Sequence, residues 1–378
     1  MVPTMQRVRK SPLLLTTDQK RILWHIRTQG PMPRSRLADE LGMHNAAITR
    51  LARELINLGC LDELDVQATQ RGRPLVPLGL SGRVGYAAGA MAHPGWLELV
   101  LVDFAGQVLV RHAEPFDSPD PRAFIERISE KLQALAGRTS LIGSRFLGLG
   151  VAVPGFVPAA HPRRRWTTQW LAGWRDIDLP DFFEDCLGLP VWTENESTLA
   201  GLADFHDHGL ARDFSSALSL FVGHGVGGCI VSRRDILSGE FGNAGDVGQL
   251  FPDLDKPRPS GIDLVREINA AGGNLRSLHE VADGLEVHAA VIDAWVERAT
   301  EQLLTLVYSG FAWIDPGAIL VTGSIPQPIL EKIGARARLA PWPSARARPP
   351  IHVTKLGSWA IPIGAALLPM HDLIVIRA

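Results

Sequence analysis

Residues 189–205, LPVWTENESTLAGLADF, decide how the chain is read. Leu189 to Trp192 make a short apolar approach. Asn195 and Glu196 then set a carboxamide beside a carboxylate, and the residues that follow have the pattern of a helix. The stretch poses one chemical question. Glu196 is either a working general base or a carboxylate that now only binds.

The same strand-to-turn-to-helix logic starts at Gly85 and continues beyond this stretch. GYAAGAMA and WLELVLVDFAGQVLVRHAEPF predict a β-meander with a tight turn at Ala105-Gly106. PRAFIERISEKLQALAG predicts a helix, and RFLGLGVAVPGFV a buried strand ending in a Pro-Gly turn. SALSLFVGHGVGGCIV repeats the strand-turn pattern further on, which points to a second lobe.

Upstream of Gly85 the pattern is different. TTDQKRILWHIRTQG predicts a helix capped by Thr17 or Asp18 and stopped by Gly30-Pro31. PRSRLADELGM is a short second helix. HNAAITRLARELINLGCL is a third, with Ile48, Leu51, Leu55 and Leu58 on one stripe. Helix, short helix, four-residue turn and longer helix is the helix-turn-helix plan. CLDELD and PLVPLGL read as two strands of a wing around QATQRGRP, whose tip carries Arg71 and Arg73. His44, Asn45, Thr49 and Arg50 fall away from the leucine stripe, where Asn and Arg can make paired contacts to base edges.

Charge agrees with this division. Residues 1–80 hold twelve Lys/Arg against seven Asp/Glu, whereas the remainder is acidic and the chain as a whole is at −2. A basic head on an acidic body is an electrostatic footprint of nucleic-acid binding. The chain's 378 residues, 46% of them apolar, suffice for two or three domains with real cores. Cys60, Cys186 and Cys229 stand far apart, which argues against a disulfide framework or a Cys-rich zinc site and suits a reducing compartment. With no signal peptide or membrane span visible, a cytoplasmic location and no membrane partner are expected.

The body resembles the ROK family (repressors, open reading frames and sugar kinases), and the head resembles the winged-helix half of its repressor members. VAVPGFV, LAGW, LPVWTENESTLAGLADF, FVGHGVGGCIV, SGEFGNAGDVGQL, DPGAILVTGS and AIPIGAALL carry the resemblance by their order and spacing. It implies an α/β fold: an N-terminal winged helix-turn-helix over 1–80, then a two-lobed actin/hexokinase-like ATPase fold. Residues 81–195 form its first lobe, with 358–378 returning to it, and 196–357 form the second.

Position by position, the resemblance also marks departures. The family's kinases hold phosphates with an Asp-x-Gly-x-Thr turn. Here it reads Ala87-Ala88-Gly89-Ala90-Met91, without the carboxylate that organises Mg²⁺ or the hydroxyl that meets a phosphate. Gly223-His224-Gly225-Val226-Gly227-Gly228 matches the second phosphate turn or is simply a tight hairpin. The family's sugar-facing Asn-Asp pair becomes Asn195-Glu196. Its Gly-Glu-x-Gly-His turn supplies Asp246 and Gln249, and its Asn-Leu-x-Gly-Trp turn opens with Trp170 and closes with Trp174. The zinc-binding cysteine run is replaced by FPDLDKPRPSGIDL, which has no cysteine, so no metal is expected.

A glutamate reaches one C–C bond further than an aspartate, and a misplacement of ~1 Å can cost ~10²-fold in rate. The combined expectation is a transcriptional regulator, a repressor, without catalysis or cofactor. Its partners are double-stranded operator DNA, a small polar and sugar-like effector at Trp170, Asn195, Glu196, Asp246 and Gln249, and its own copies as a homodimer or dimer of dimers. The rival is an active sugar kinase with an added DNA-binding domain. A third reading is an effector-independent DNA-binding scaffold.

Overall fold

The computed structural model describes residues 13–65, 75–207, 209–253, 255–344 and 346–376. Arg71 and Arg73, expected at the wing tip, lie outside the described residues. The head comprises α1 (Thr17–Gln29), β1 (Met32–Pro33), α2 (Arg34–Leu41), α3 (Asn45–Asn57), β2 (Leu61–Glu63) and β3 (Pro77–Leu80). The cap of α1 is Thr16, one residue before the expected positions. Its hydroxyl accepts from the Gln19 amide while the Gln19 side chain accepts from the Thr16 amide, a reciprocal capping box. Gly42, at φ 63°, ends α2 in the left-handed conformation. Ile22, Leu23, Ile26, Leu37, Ile48 and Leu55 fill the core between the helices. The wing has three strands rather than two, in the order β1-β3-β2, because Met32 and Pro33 pair with Leu78 and Pro77.

The body is a topological repeat. In its first half β4 (Tyr86–His93), β5 (Trp96–Asp103) and β6 (Val108–Pro115) form a meander. After α4 (Pro121–Arg138), β7 (Phe146–Ala152) joins β4 in parallel, and after α5 (Leu179–Leu187), β8 (Val191–Glu194) joins β7. The second half opens with α6 (Glu196–Asp207) and the short α7 (Leu210–Asp213). β9 (Ala217–Val222), β10 (Val226–Ser232) and β11 (Asp235–Ile236) form its meander. Beyond α8 (Gly261–Ala270) and α9 (Ala289–Ile314), β12 (Ala318–Gly323) runs parallel to β9. α10 (Gln327–Leu339) then leads to β13 (Ile351–Val353), and α11 (Ala360–Ile374) follows. The sheets have orders β6-β5-β4-β7-β8 and β11-β10-β9-β12-β13, the same winding twice.

Residue size decides where α11 lies. β4 presents Ala87 and Gly89 to α11, which answers with Ala365 and Ala366, while Gly364 faces α6 on the other side of the helix. Small residues on both sides let helix and sheet backbones approach, so α11 packs on β4, β7 and α6 together. The apolar core of the head runs without interruption into this layer. Among the described residues no helix is long and apolar enough to cross a membrane.

Candidate functional site

The two meanders turn at equivalent places, β4 into β5 and β9 into β10. Between these turns and the α6 N-terminus lies a cavity of about 600 Å³. It gathers Trp170, Asn195, Glu196, Asp246 and Gln249 from three places in the sequence. Parts of the two halves touch across it. The Asn243 carboxamide exchanges hydrogen bonds with the backbone of Val157, at 2.7 and 2.8 Å. His93 at the end of β4 lies 2.9 Å, Nδ1 to Nε2, from His279 of the second half.

Asn195 serves the fold first. Its Oδ1 accepts from the Ser197 amide at 2.8 Å and the Ser197 hydroxyl at 2.6 Å, capping α6, and its Nδ2 donates to Gly155 O at 2.8 Å. One amide N–H is left for a ligand. Glu196, next to it, makes no hydrogen bond or ion pair among the described residues. Glu196 is half-buried on the cavity wall, and desolvation there pushes its carboxyl from 4.5 up to about 7.

That shift makes stability depend on pH in a defined direction. Below about 4.5 the carboxyl is protonated in both folded and unfolded chains. Between there and about 7 only the folded chain keeps the proton, so the stabilisation is lost as pH rises through the folded value. Glu196→Gln is expected to raise stability at pH 8 by on the order of 2 kcal/mol and to leave it unchanged near pH 4.5. Melting curves of both proteins at the two pH values check this; an equal gain at both refutes it.

Asp246 and Gln249 stand at the cavity mouth, joined by a 3.2 Å hydrogen bond. The two tryptophans separate. Trp174 is fully packed, its indole N–H donating to Pro119 O at 2.8 Å, with Phe124 and Phe183 around it. Trp170 is half-buried and faces the cavity, where an indole can stack on a ring.

Three residues that sequence patterning did not single out as ligand contacts also line the cavity. His93 and His224 occupy the two equivalent turns, their rings 5.9 Å apart, and Arg258 enters from the loop that precedes α8. Burial holds His93 well below the usual imidazole range and takes His224 down to about 4, so both are neutral at pH 7. Ala87 and Met91 lie within buried strand β4, not on a turn. Among the described residues no group of three His, Cys, Asp or Glu is placed to hold a metal.

On the head, His44, Asn45 and Arg50 are exposed and Thr49 half-exposed, on the side of α3 opposite its leucines. The Thr49 hydroxyl donates to Asn45 O at 2.8 Å, and Arg50 pairs with Glu54 at 2.6 Å. An exposed i,i+4 pair is worth only about 0.3–0.5 kcal/mol, so the guanidinium is easily exchanged to another acceptor.

The fold and cleft together define a winged helix-turn-helix joined to a two-lobed, actin/hexokinase-like body. Residues 96–267 match the model of the ROK family. It is 28% identical to the uncharacterized protein y4fQ of Sinorhizobium fredii, over 94% of this chain and 91% of that protein. The xylose repressor of Bacillus spizizenii is 22% identical, over 64% of this chain and 62% of the repressor. Among solved structures, a ROK family transcriptional regulator described as a homolog of the E. coli MLC protein superposes with a TM-score of 0.67. That match has 21% identity and covers 95% of this chain and 96% of the other.

Proposed function

We propose that this chain is a cytoplasmic DNA-binding transcriptional regulator, a repressor, whose kinase-like body binds a small polar, sugar-like effector without catalysis. Residues 1–80 act as the reader. Residues 81–195 with 358–378, and 196–357, act as the two lobes of the sensor. Operator contacts come from His44, Asn45, Thr49, Arg50, Arg71 and Arg73. The effector meets Trp170, Asn195, Glu196, Asp246 and Gln249. Two such chains form a homodimer, since helix-turn-helix proteins read half-sites about 34–36 Å apart.

One observation carries this reading: a reader-like head is fused to a cleft that keeps polar sugar-type groups, while the β4–β5 turn that lines it, His93-Pro94-Gly95, offers neither the Asp nor the Thr of the family's kinases. The rival kinase reading requires those two side chains. Coupled assays of ADP release with common hexoses are therefore expected to stay at background, and elemental analysis of untagged protein to find no stoichiometric zinc. Hexose-dependent turnover that disappears in Glu196→Gln would restore the kinase.

The regulator itself is tested by titrating sugars and sugar derivatives against the full chain bound to a DNA site selected from genomic fragments. An effector is expected to change DNA affinity about 5–150-fold, the range of ordinary allosteric coupling. Trp170→Ala and Glu196→Ala are expected to abolish that response. An equal response in wild type and both variants places the effector outside the cleft.

A further inference from the structure

Among the described residues Arg258 has no protein acceptor. Its Nε is shielded from solvent and makes no hydrogen bond, and no ion pair engages its guanidinium among the described residues. An unsatisfied buried donor costs about 1–3 kcal/mol, more for a charged group, so such an arrangement is uncommon in a folded chain without a purpose.

The surroundings hold Arg258 in place without neutralising it. Prolines 257 and 259 flank it and restrict the backbone on both sides. The Pro257 carbonyl accepts from Gln302 Nε2 at 2.9 Å, which ties the loop to α9. Gly261 N donates to Gly223 O at 2.6 Å, which ties it to the β9–β10 turn. Three carboxylates of this cavity and loop are otherwise engaged. Asp263 is buried and paired with Arg298 at 2.5 Å, Asp246 accepts from Gln249, and Asp253, on the same loop, pairs with Lys256 at 3.3 Å. Nor does the start of α8 compete for an anion. Its Gly261, Ile262 and Asp263 amides already donate to Gly223 O, His224 O and Ser260 Oγ. A charged fork on a rigid frame, inside a ligand-sized cavity, is the arrangement that recognises a carboxylate or phosphate.

We propose that Arg258 makes this cleft a receptor for an anionic polyhydroxylated ligand, one bearing a carboxylate or phosphate, in preference to the neutral sugar. This rests on the reading of the cleft as the effector site. Glu196 is compatible with it: with a carboxyl near 7, it can donate a proton to an oxyanion where an ordinary carboxylate would repel one. Trp170 and Gln249 remain for the ring and hydroxyls.

The test uses the full chain and calorimetric titration at fixed ionic strength with glucose, gluconate, glucuronate, glucose 6-phosphate and inorganic phosphate. At least one sugar-derived anion is expected to bind roughly 10–100-fold more tightly than glucose. The carboxylate and phosphate arms tell which oxyanion is preferred. Arg258→Met should remove that preference, while Arg258→Lys, a point charge without the fork, should keep part of it. Glucose binding as tightly as every anion overturns the proposal. So does an anion affinity within twofold of wild type in Arg258→Met, or no binding by any compound at the millimolar concentrations that fill even a weak site. The same titrations with DNA present separate the two readings. An Arg258-dependent anion that leaves DNA affinity unchanged preserves the anion site and sinks the coupled regulator. A neutral sugar that alters DNA affinity does the reverse.

Discussion

Alanine in place of Gly89, Gly150 or Gly364 is expected to destabilise the protein by about 3 kcal/mol or more at each site. A β-carbon at Gly89 would lie 1.9 Å from the Pro362 carbonyl oxygen, and one at Gly150 1.9 Å from that of Ala365. On the other side of α11, a β-carbon at Gly364 would lie 2.0 Å from the Leu199 carbonyl oxygen. All three obstructions are backbone, so no side chain can rotate away. Relief requires α11 to withdraw from β4, β7 or α6, which opens the buried layer beneath it. Gly173 is the control, since a β-carbon there meets nothing within 4 Å. Gly173→Ala is expected to change stability by no more than ~0.5 kcal/mol. Denaturant titration of the four variants checks both halves. Wild-type stability in Gly89→Ala would mean that α11 is not seated as described.

The second large effect concerns DNA. Asn45→Ala and Arg50→Ala are each expected to cost about 1–3 kcal/mol on a selected site and to relax its sequence preference. Asn45 opens α3, and the first turn of a recognition helix is the part that reaches base edges. Arg50 lies farther along the helix, paired with the exposed Glu54 carboxylate. Arg71→Ala is expected to act differently, weakening binding across sequences and flattening the salt dependence, as a charge in the minor groove would. Fluorescence anisotropy at several salt concentrations distinguishes the two patterns. If the full chain ignores genomic DNA at low salt, the reader assignment fails.

The legible features of the chain were those governed by local rules. Leucine spacing and the Gly30, Gly42 and Gly59 stops mark the three head helices within a residue or two, because capping and periodicity are short-range. The Ala105-Gly106 turn is readable for the same reason. Other features depend on distant partners. Met32 and Pro33 join the wing only because Leu78 and Pro77 come beside them, and two residues have no periodicity to detect. Nothing local distinguishes Trp170 from Trp174, yet one faces the cleft and the other is sealed by Phe124 and Phe183. The His93–His279 contact spans 186 positions. Arg258 stands out in sequence only as Pro-Arg-Pro. That its neighbouring carboxylates are taken is a fact of three dimensions.

The uninterrupted core between head and body has a mechanical consequence. Trp24 of α1 meets His371 of α11 edge-on at 5.3 Å, and the buried Arg27 guanidinium donates to Phe104 O at 2.6 Å. A reader on a loose tether would keep its own orientational freedom and surrender it each time it docks. Here that freedom is already gone when the chain folds, so docking need not remove it again. The head turns with the layer it is rooted in, as a key turns with its bow. A rotation of a few degrees at α11 is therefore carried out to the tip of α3 undiminished, with no slack in which it could be absorbed.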